Sequence, residues 1–547
     1  MDVVKKIAML VCCAATAGAA PAGFDSVYVP LDSWIYLALY RLAGMGYIPD
    51  QFSNMAPWTR DECARQVSEA AAIVRQRAEA RQDTAADGEA LKMIADLHAE
   101  LNDKQDDDYD GVRFESLYTQ VTGIGNTPVA DSYHFGQTIV NNNGRPYYKG
   151  FNNDTGLSGY ANFNRFFIYV RGELQYSAGR PVYSLPIRQY IANEDQNPLL
   201  PAASGDSFLR VQPMEMYTGV QVGVENISVG MENLWWGPGQ DSAFAFSDNA
   251  SPFFMVNFNQ TKPIVLPWIF KYLGKMRTQF IFGELSGHLW PRYALVNAQK
   301  LSFDITNDLE VGISRSAFWG GDGHPVTTKS FLKSLFSTSS SGCTFAYGDR
   351  CDPGDRHTGF DIRYRFPGVR KYVTVYLDSY ADDEVNPLAN PSRSAWAPGI
   401  YLSHLPHATK WDFRFESYDT WLNAARNGQF FYWNNQYHDS YTNNDFLLGS
   451  YVGRQARAYV GTIGYWLSGR TKFQGQIRHM NEPDTYLPGG GSQTDGSLTA
   501  QWSFGPELLG SLTAQLETYD IPILGPSRTN GMLMLSVSYT PKNWVFH

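Results

Sequence analysis

A chain of 547 residues with 18% charged residues, a net charge of -10 and 33 Tyr, 32 Phe and 14 Trp is too acidic for nucleic acid to be its main partner. Its mean hydropathy of -0.32 does not speak against a membrane, because a barrel wall alternates apolar and polar positions and never averages to hydrophobic. Past the N-terminus no stretch is apolar over the roughly 20 residues that a spanning helix needs, so a membrane crossing requires a closed barrel.

Lys5 and Lys6, the apolar run from Ile7 to Ala17 and the small residues Ala17-Gly18-Ala19 predict an export signal over 1–19. Residues 20–107 read as a small periplasmic helical bundle. Asp32 precedes a helix carrying Trp34, Ile35, Leu39 and Leu42, and Thr59 with Glu62 forms a capping box for the next. Ala86 to Leu101 is a third helix, and Cys63 reads as an unpaired, buried small hydrophobe. Asp106, Asp108, Asp110 and Gly111 follow the opening of a calcium loop, but Leu117 stands where a bidentate Glu is needed. The alternative for this stretch is a solvated acidic linker.

From 108 to 547 strand signals repeat. Phe166, Ile168, Val170 and Leu174 alternate with Arg171, Glu173 and Gln175. In YTGVQVGVENISVGMENLWWGPG, a loop at Glu225-Asn226 would pair Val224 with Ile227 and Val222 with Val229. Further hairpins turn at Thr306-Asn307-Asp308, placing Leu301 and Phe303 against Val311 and Ile313, and at Ser468-Gly469-Arg470, placing Tyr465 against Phe473. Long connections run from Trp235 to about Lys275, Ala317 to about Thr358 and Phe430 to Ala456. Short turns on one rim and long loops on the other are the asymmetry of an outer-membrane barrel. At about 24 residues per strand and connection, with strands of about 9–11 residues, roughly 18 strands fit. The fold class is an all-β transmembrane antiparallel barrel preceded by a small α-helical bundle. Cys343 and Cys351 flank TFAYGDR in a Ser/Gly-rich loop, where an exported protein can form a disulfide or keep two thiols.

The segment FFYWNNQYHDSYTNND (430–445) is the candidate polysaccharide contact. Tyr432, Trp433 and Tyr437 offer rings that stack on a pyranose, and Asn434 and Asn435 offer paired donors and acceptors to its hydroxyls. The same composition fits an aromatic girdle followed by an Asn-rich external loop. Trp235 and Trp236 read as indoles anchored at the membrane interface, with Gly237-Pro238 turning the chain. No H-E-x-x-H, G-x-S-x-G, phosphate loop or Cys/His cluster is present, and His438-Asp439-Ser440 are too close in sequence to converge on one reacting atom.

Three stretches, VPLDSWIYLALYRLAGMGYIPD (29–50), PWTRDECARQV (57–67) and ENLWWGPG (232–239), resemble the Wzi-type capsule assembly proteins. The resemblance implies an 18-stranded barrel with a periplasmic bundle and a role in attaching surface polysaccharide. The expectation is a non-enzymatic, cofactor-free monomer. It would touch outer-membrane lipid with its wall, capsular or other surface polysaccharide with its loops, and periplasmic assembly partners with its bundle. A diffusion porin or oligosaccharide channel is the alternative.

Overall fold

The computed structural model describes residues 26–82, 84–101, 111–337, 354–382, 387–422, 428–542 and 545–546. The export signal, the acidic stretch with Asp106, Asp108 and Asp110, and the Cys343–Cys351 loop lie outside the described residues.

Alternation builds the wall. The first six strands are β1 (Gly111–Ile124), β2 (Gly150–Phe163), β3 (Phe166–Ser177), β4 (Phe208–Val222), β5 (Glu225–Glu232) and β6 (Phe253–Gln260). They are followed by β7 (Lys275–Glu284), β8 (Leu295–Thr306), β9 (Leu309–Trp319), β10 (Asp355–Tyr364), β11 (Val373–Asp382) and β12 (Ser394–Leu402). The last six are β13 (Trp411–Asp419), β14 (Arg457–Trp466), β15 (Lys472–Glu482), β16 (Gly491–Ser503), β17 (Leu508–Asp520) and β18 (Arg528–Tyr539). Each pairs antiparallel with its neighbours, and β18 closes on β1 from Leu117↔Tyr539 to Ile124↔Met532. Among the described residues these eighteen long strands leave no open edge in the barrel. On β3 Phe166, Ile168, Val170 and Leu174 are exposed on the outside, while Phe167, Tyr169, Arg171, Glu173 and Gln175 are buried inside. Leu498 and Leu516, 72% and 71% exposed, continue the apolar band on the far side of β1. An outer surface of this kind is solvated by lipid.

The register agrees with the sequence at Phe303↔Val311, Tyr465↔Phe473 and Ile463↔Gly475. It differs at the β4–β5 hairpin, where Val222 pairs with Glu225 and Val220 with Ile227. The turn is Gly223-Val224, because Gly223 takes φ 65°, the left-handed conformation that a two-residue hairpin needs at its first central position. The slip is even, so every side chain keeps its face. The long connection expected from Trp235 to Lys275 is interrupted by β6, whose apolar run is too short to stand out from its loops.

Helices α1 (Trp34–Gly44), α2 (Arg60–Glu79) and α3 (Ala85–Leu101) pack around Leu39, Leu42, Trp58, Val67, Met93 and Leu97. Thr59 caps α2 by accepting from the Glu62 N–H at 3.1 Å. Ser33 rather than Asp32 caps α1, since Asp32 is drawn to Arg171 at 2.6 Å. Cys63 is free and buried. The three helices cap the short-turn rim: Arg41 donates to the carbonyls of Ser403 and Thr409 with its guanidinium over Trp466, and Glu100 meets Lys542 at 3.1 Å. The division expected at 107/108 is not how the chain packs, because residues 26–29 and 49–58 enter the lumen. Ser26 donates to Gln221, Ser53 to Glu310, and Arg363 donates to the Gln51 carbonyl.

Two further helices belong to the long-loop rim, α4 (Leu185–Asp195) and α5 (Thr328–Phe336). On β8 and β9 the outward positions Asn297, Gln299 and Arg315 break the apolar pattern, and α5 lies over them. Asn297 donates to Ser334 Oγ at 2.6 Å, Arg315 donates to the Ser334 carbonyl at 2.6 Å, and Phe331 packs on Trp319 and Phe282.

Candidate functional site: the lumen plug and the outer loop face

The site begins with where the long loops go. Rather than standing outward, loops 125–149, 233–252 and 428–456 fold back into the barrel and build the largest apolar cluster among the described residues, including Tyr133, Trp236, Phe244, Phe246, Tyr432, Tyr441 and Tyr451. Where this cluster meets the core of the helices, Trp235-Trp236, arriving from the long-loop side, pair antiparallel with Met55-Ala56, arriving from the helical side. The Trp236 indole donates to Gln279 at 2.8 Å and the Trp235 indole to the Gly239 carbonyl at 3.0 Å, so both rings are fixed in the interior. This corrects the expectation of interfacial anchors: an indole N–H is satisfied by a polar lumen as well as by head groups. Gly237 has no room for a side chain, since an added Cβ would sit 2.9 Å from both Ala243 and Asp378, and Pro238 is buried beside it. Glu416 of β13 holds the turn by accepting from the N–H groups of Gln240 and Asp241, each at 2.9 Å.

The segment 430–445 divides. Tyr432 and Tyr437 are fully buried: Tyr432 stacks on Tyr441 and donates to the Phe244 carbonyl at 2.5 Å, and Tyr437 stacks on His324 and donates to the Gly320 carbonyl at 3.2 Å. Asn434 is also buried, its Oδ1 accepting from the N–H groups of Gln436 and Tyr437. These three serve the plug, which corrects their placement on an exposed glycan surface. Asn435 is exposed and Trp433 half-buried. Next to them stands loop 285–294, joined by the His438 N–H donating to the Trp290 carbonyl and by Asp439 accepting from the N–H groups of Leu289 and Trp290. This loop exposes Trp290 and Tyr293, which sequence reasoning missed; the signal was the aromatic pair in LWPRY.

His438 Nδ1 lies 2.9 Å from Asn197, Asp439 holds backbone, and Ser440 is buried, so the three turn to different partners and make no proton relay. Asp355, His357 and Asp382 bring ligand atoms within 4.8 Å of one another, and His357 Nε2 stands 3.1 Å from Asp382. Such a spacing suits an imidazolium shared by two carboxylates as well as a metal ion.

A clasp ties three long loops together. His134 lies between Asp131 at 2.9 Å and Asp195 at 2.8 Å, and Asp195 also takes Arg454 at 2.6 Å. Burial opposes charge on His134, but Asp131 and Asp195 outweigh it and lift the imidazole to about 10. Below the plug, a cavity of about 410 Å³ remains between the N-terminal segment and the inner wall of β1 and β16–β18, with Gln120, Asn142, Gln501, Ser511 and Ser536 among its lining residues. Segment 138–145 closes it on the loop side, where Gln515 donates to the Thr138 carbonyl and Thr138 to Glu517.

Lipid-facing wall, helical cap and inward-folded loops define the class: an outer-membrane β-barrel whose long loops fold into its lumen. The Wzi capsule assembly protein family matches residues 120–532, most of the chain, and the chain belongs to that family. It is similar in structure to Escherichia coli Wzi, described as an outer-membrane, carbohydrate-binding β-barrel involved in group 1 capsule assembly. The TM-score is 0.68 and the identity 15%, over 93% of this chain and 98% of that one. It is also 25% identical over 213 residues to an uncharacterised 55.8 kDa protein in the cps region of Klebsiella pneumoniae, covering 38% of this chain and 40% of that protein.

Proposed function

We propose that this barrel holds capsular or other surface polysaccharide at the outer membrane, binding glycan on its outer loop face without chemistry and without a conducting pore. The observation that carries the reading is the Trp235-Trp236/Met55-Ala56 pairing across the lumen. A lumen crossed by this pairing and crowded by inward-folded loops leaves little room for a solute path, so the working surface of this reading is the loop face. On that face Trp433 and Asn435 supply the ring and amide first expected of the 430s segment, and Trp290 and Tyr293 supply two more rings. The exposed sides of α2 and α3 are where an assembly partner would dock.

In a strain that makes the polymer, deleting the gene is expected to release polysaccharide into the medium with total synthesis unchanged. Complementation with Trp433→Ala plus Trp290→Ala is expected to lower cell-bound polymer at normal protein level, each ring contributing on the order of 1 kcal/mol, a factor of about five. Unchanged cell-bound polymer in the deletion strain would overturn the function. Unchanged retention by the double variant would overturn only the residues.

A further inference from the structure

The connection from β6 to β7 exposes an apolar cluster at the short-turn rim. Residues 261–275 read TKPIVLPWIFKYLGK, with three lysines and no acidic residue. Within it Trp268–Leu273 form a short 3₁₀ helix that buries none of its side chains. Trp268 is 85% exposed, Tyr272 74% and Ile269 72%, and Phe270, Leu273 and Val265 are also exposed.

We propose that this turn is a foot inserted into the phospholipid leaflet on the short-turn side of the membrane. Three observations choose lipid over a protein partner. A 3₁₀ helix has three residues per turn, so Trp268, Ile269 and Phe270 point about 120° apart. A protein groove reads one face of a helix, whereas this one carries exposed apolar side chains on all three faces, with Lys271 beside them, as suits a solvent that surrounds it. The foot is also continuous with the lipid-facing wall: Ile264-Val265 pair with Lys275-Met276, and Gly274 lies against the periplasmic end of β8, next to the outward Phe303 and Ile305. Finally, Trp, Tyr and Lys without acidic residues are the composition of a head-group boundary, and the lysines complement anionic phospholipid. Lys275 pairs with Asp50 at 2.5 Å, linking the foot to the connector between α1 and α2.

The test uses the full-length protein in vesicles of phosphatidylethanolamine and phosphatidylglycerol, with and without phosphatidylcholine brominated on its acyl chains. The emission lost in Trp268→Phe reports Trp268 alone. That difference signal is expected to lose most of its intensity in brominated vesicles and to resist aqueous iodide. Tyr272→Trp in the Trp268→Phe background restores a quenchable signal and guards against a local defect in the first variant. A signal quenched by iodide and indifferent to bromine would place the foot in water. A signal indifferent to both would mean that protein covers it. Either result overturns the proposal.

Discussion

His134 shows how one side chain can hold a lid. Its pKa rises from 6.5 to about 10 on folding, so its stabilisation is complete below pH 6.5 and is lost as pH climbs through about 10. Between those limits the closed loops are expected to loosen, and His134→Ala is expected to be weaker than wild type at pH 6 yet nearly equal to it above pH 10. Limited proteolysis of the loops across that range measures this, and a gap between the two proteins that widens with pH would refute it. The clasp was not legible in the sequence, because Asp131, His134, Asp195 and Arg454 come from three loops. The 430s segment was legible only in part. Its rings and amides stand out in the sequence, but aromatic and Asn-rich composition is the same for a surface loop and for a plug in a polar lumen. Tyr432 and Tyr437 lie inward, Trp433 is half-buried and Asn435 exposed, and no local pattern separates them.

Strands were the most legible elements, since a half-buried strand writes its two faces into alternate positions. The β4–β5 hairpin preserved its faces even though the turn moved, because parity is read from the pattern while the turn depends on one glycine's φ. Helix α5 was not legible, because its reason for existing is on other strands. Asn297, Gln299 and Arg315 face outward, and a guanidinium left to lipid is costly. Deleting residues 328–336 is expected to destabilise the barrel by about 1–3 kcal/mol, less than a charge at the bilayer centre because the patch lies toward the rim. Arg315→Leu combined with that deletion is expected to recover most of the loss, although Arg315→Leu alone removes a bond to the Ser334 carbonyl of α5 and one to the Ser337 carbonyl just past its end, and is itself destabilising. Urea unfolding in lipid vesicles measures all three variants. No recovery in the combined variant would mean that α5 does something other than cover that patch.

At the scale of the whole molecule, length, aromatic load and turn spacing were enough to predict the closed barrel, whereas the inward-folded plug was not predictable from them. The plug meets the helical side where residues far apart in the chain pair, Trp235-Trp236 against Met55-Ala56, and each strand of that pair is only two residues long. Buried ion pairs on the inner wall, Arg363–Glu310 at 2.8 Å and Arg478–Asp495 at 2.7 Å, offset their own desolvation and add little net stability. Replacing residues 239–249 by a short Gly/Ser linker removes the Glu416-held turn and Phe244 and Phe246 from the plug, while leaving the wall and loop 285–294 intact. In planar bilayers the wild type is expected to show no stable open level, and the shortened variant to show frequent openings. Both are expected to retain polysaccharide alike if glycan is held on the outer face. Conductance appearing together with loss of retention would instead tie glycan binding to the plug, and a conducting wild type would return the molecule to the class of diffusion channels.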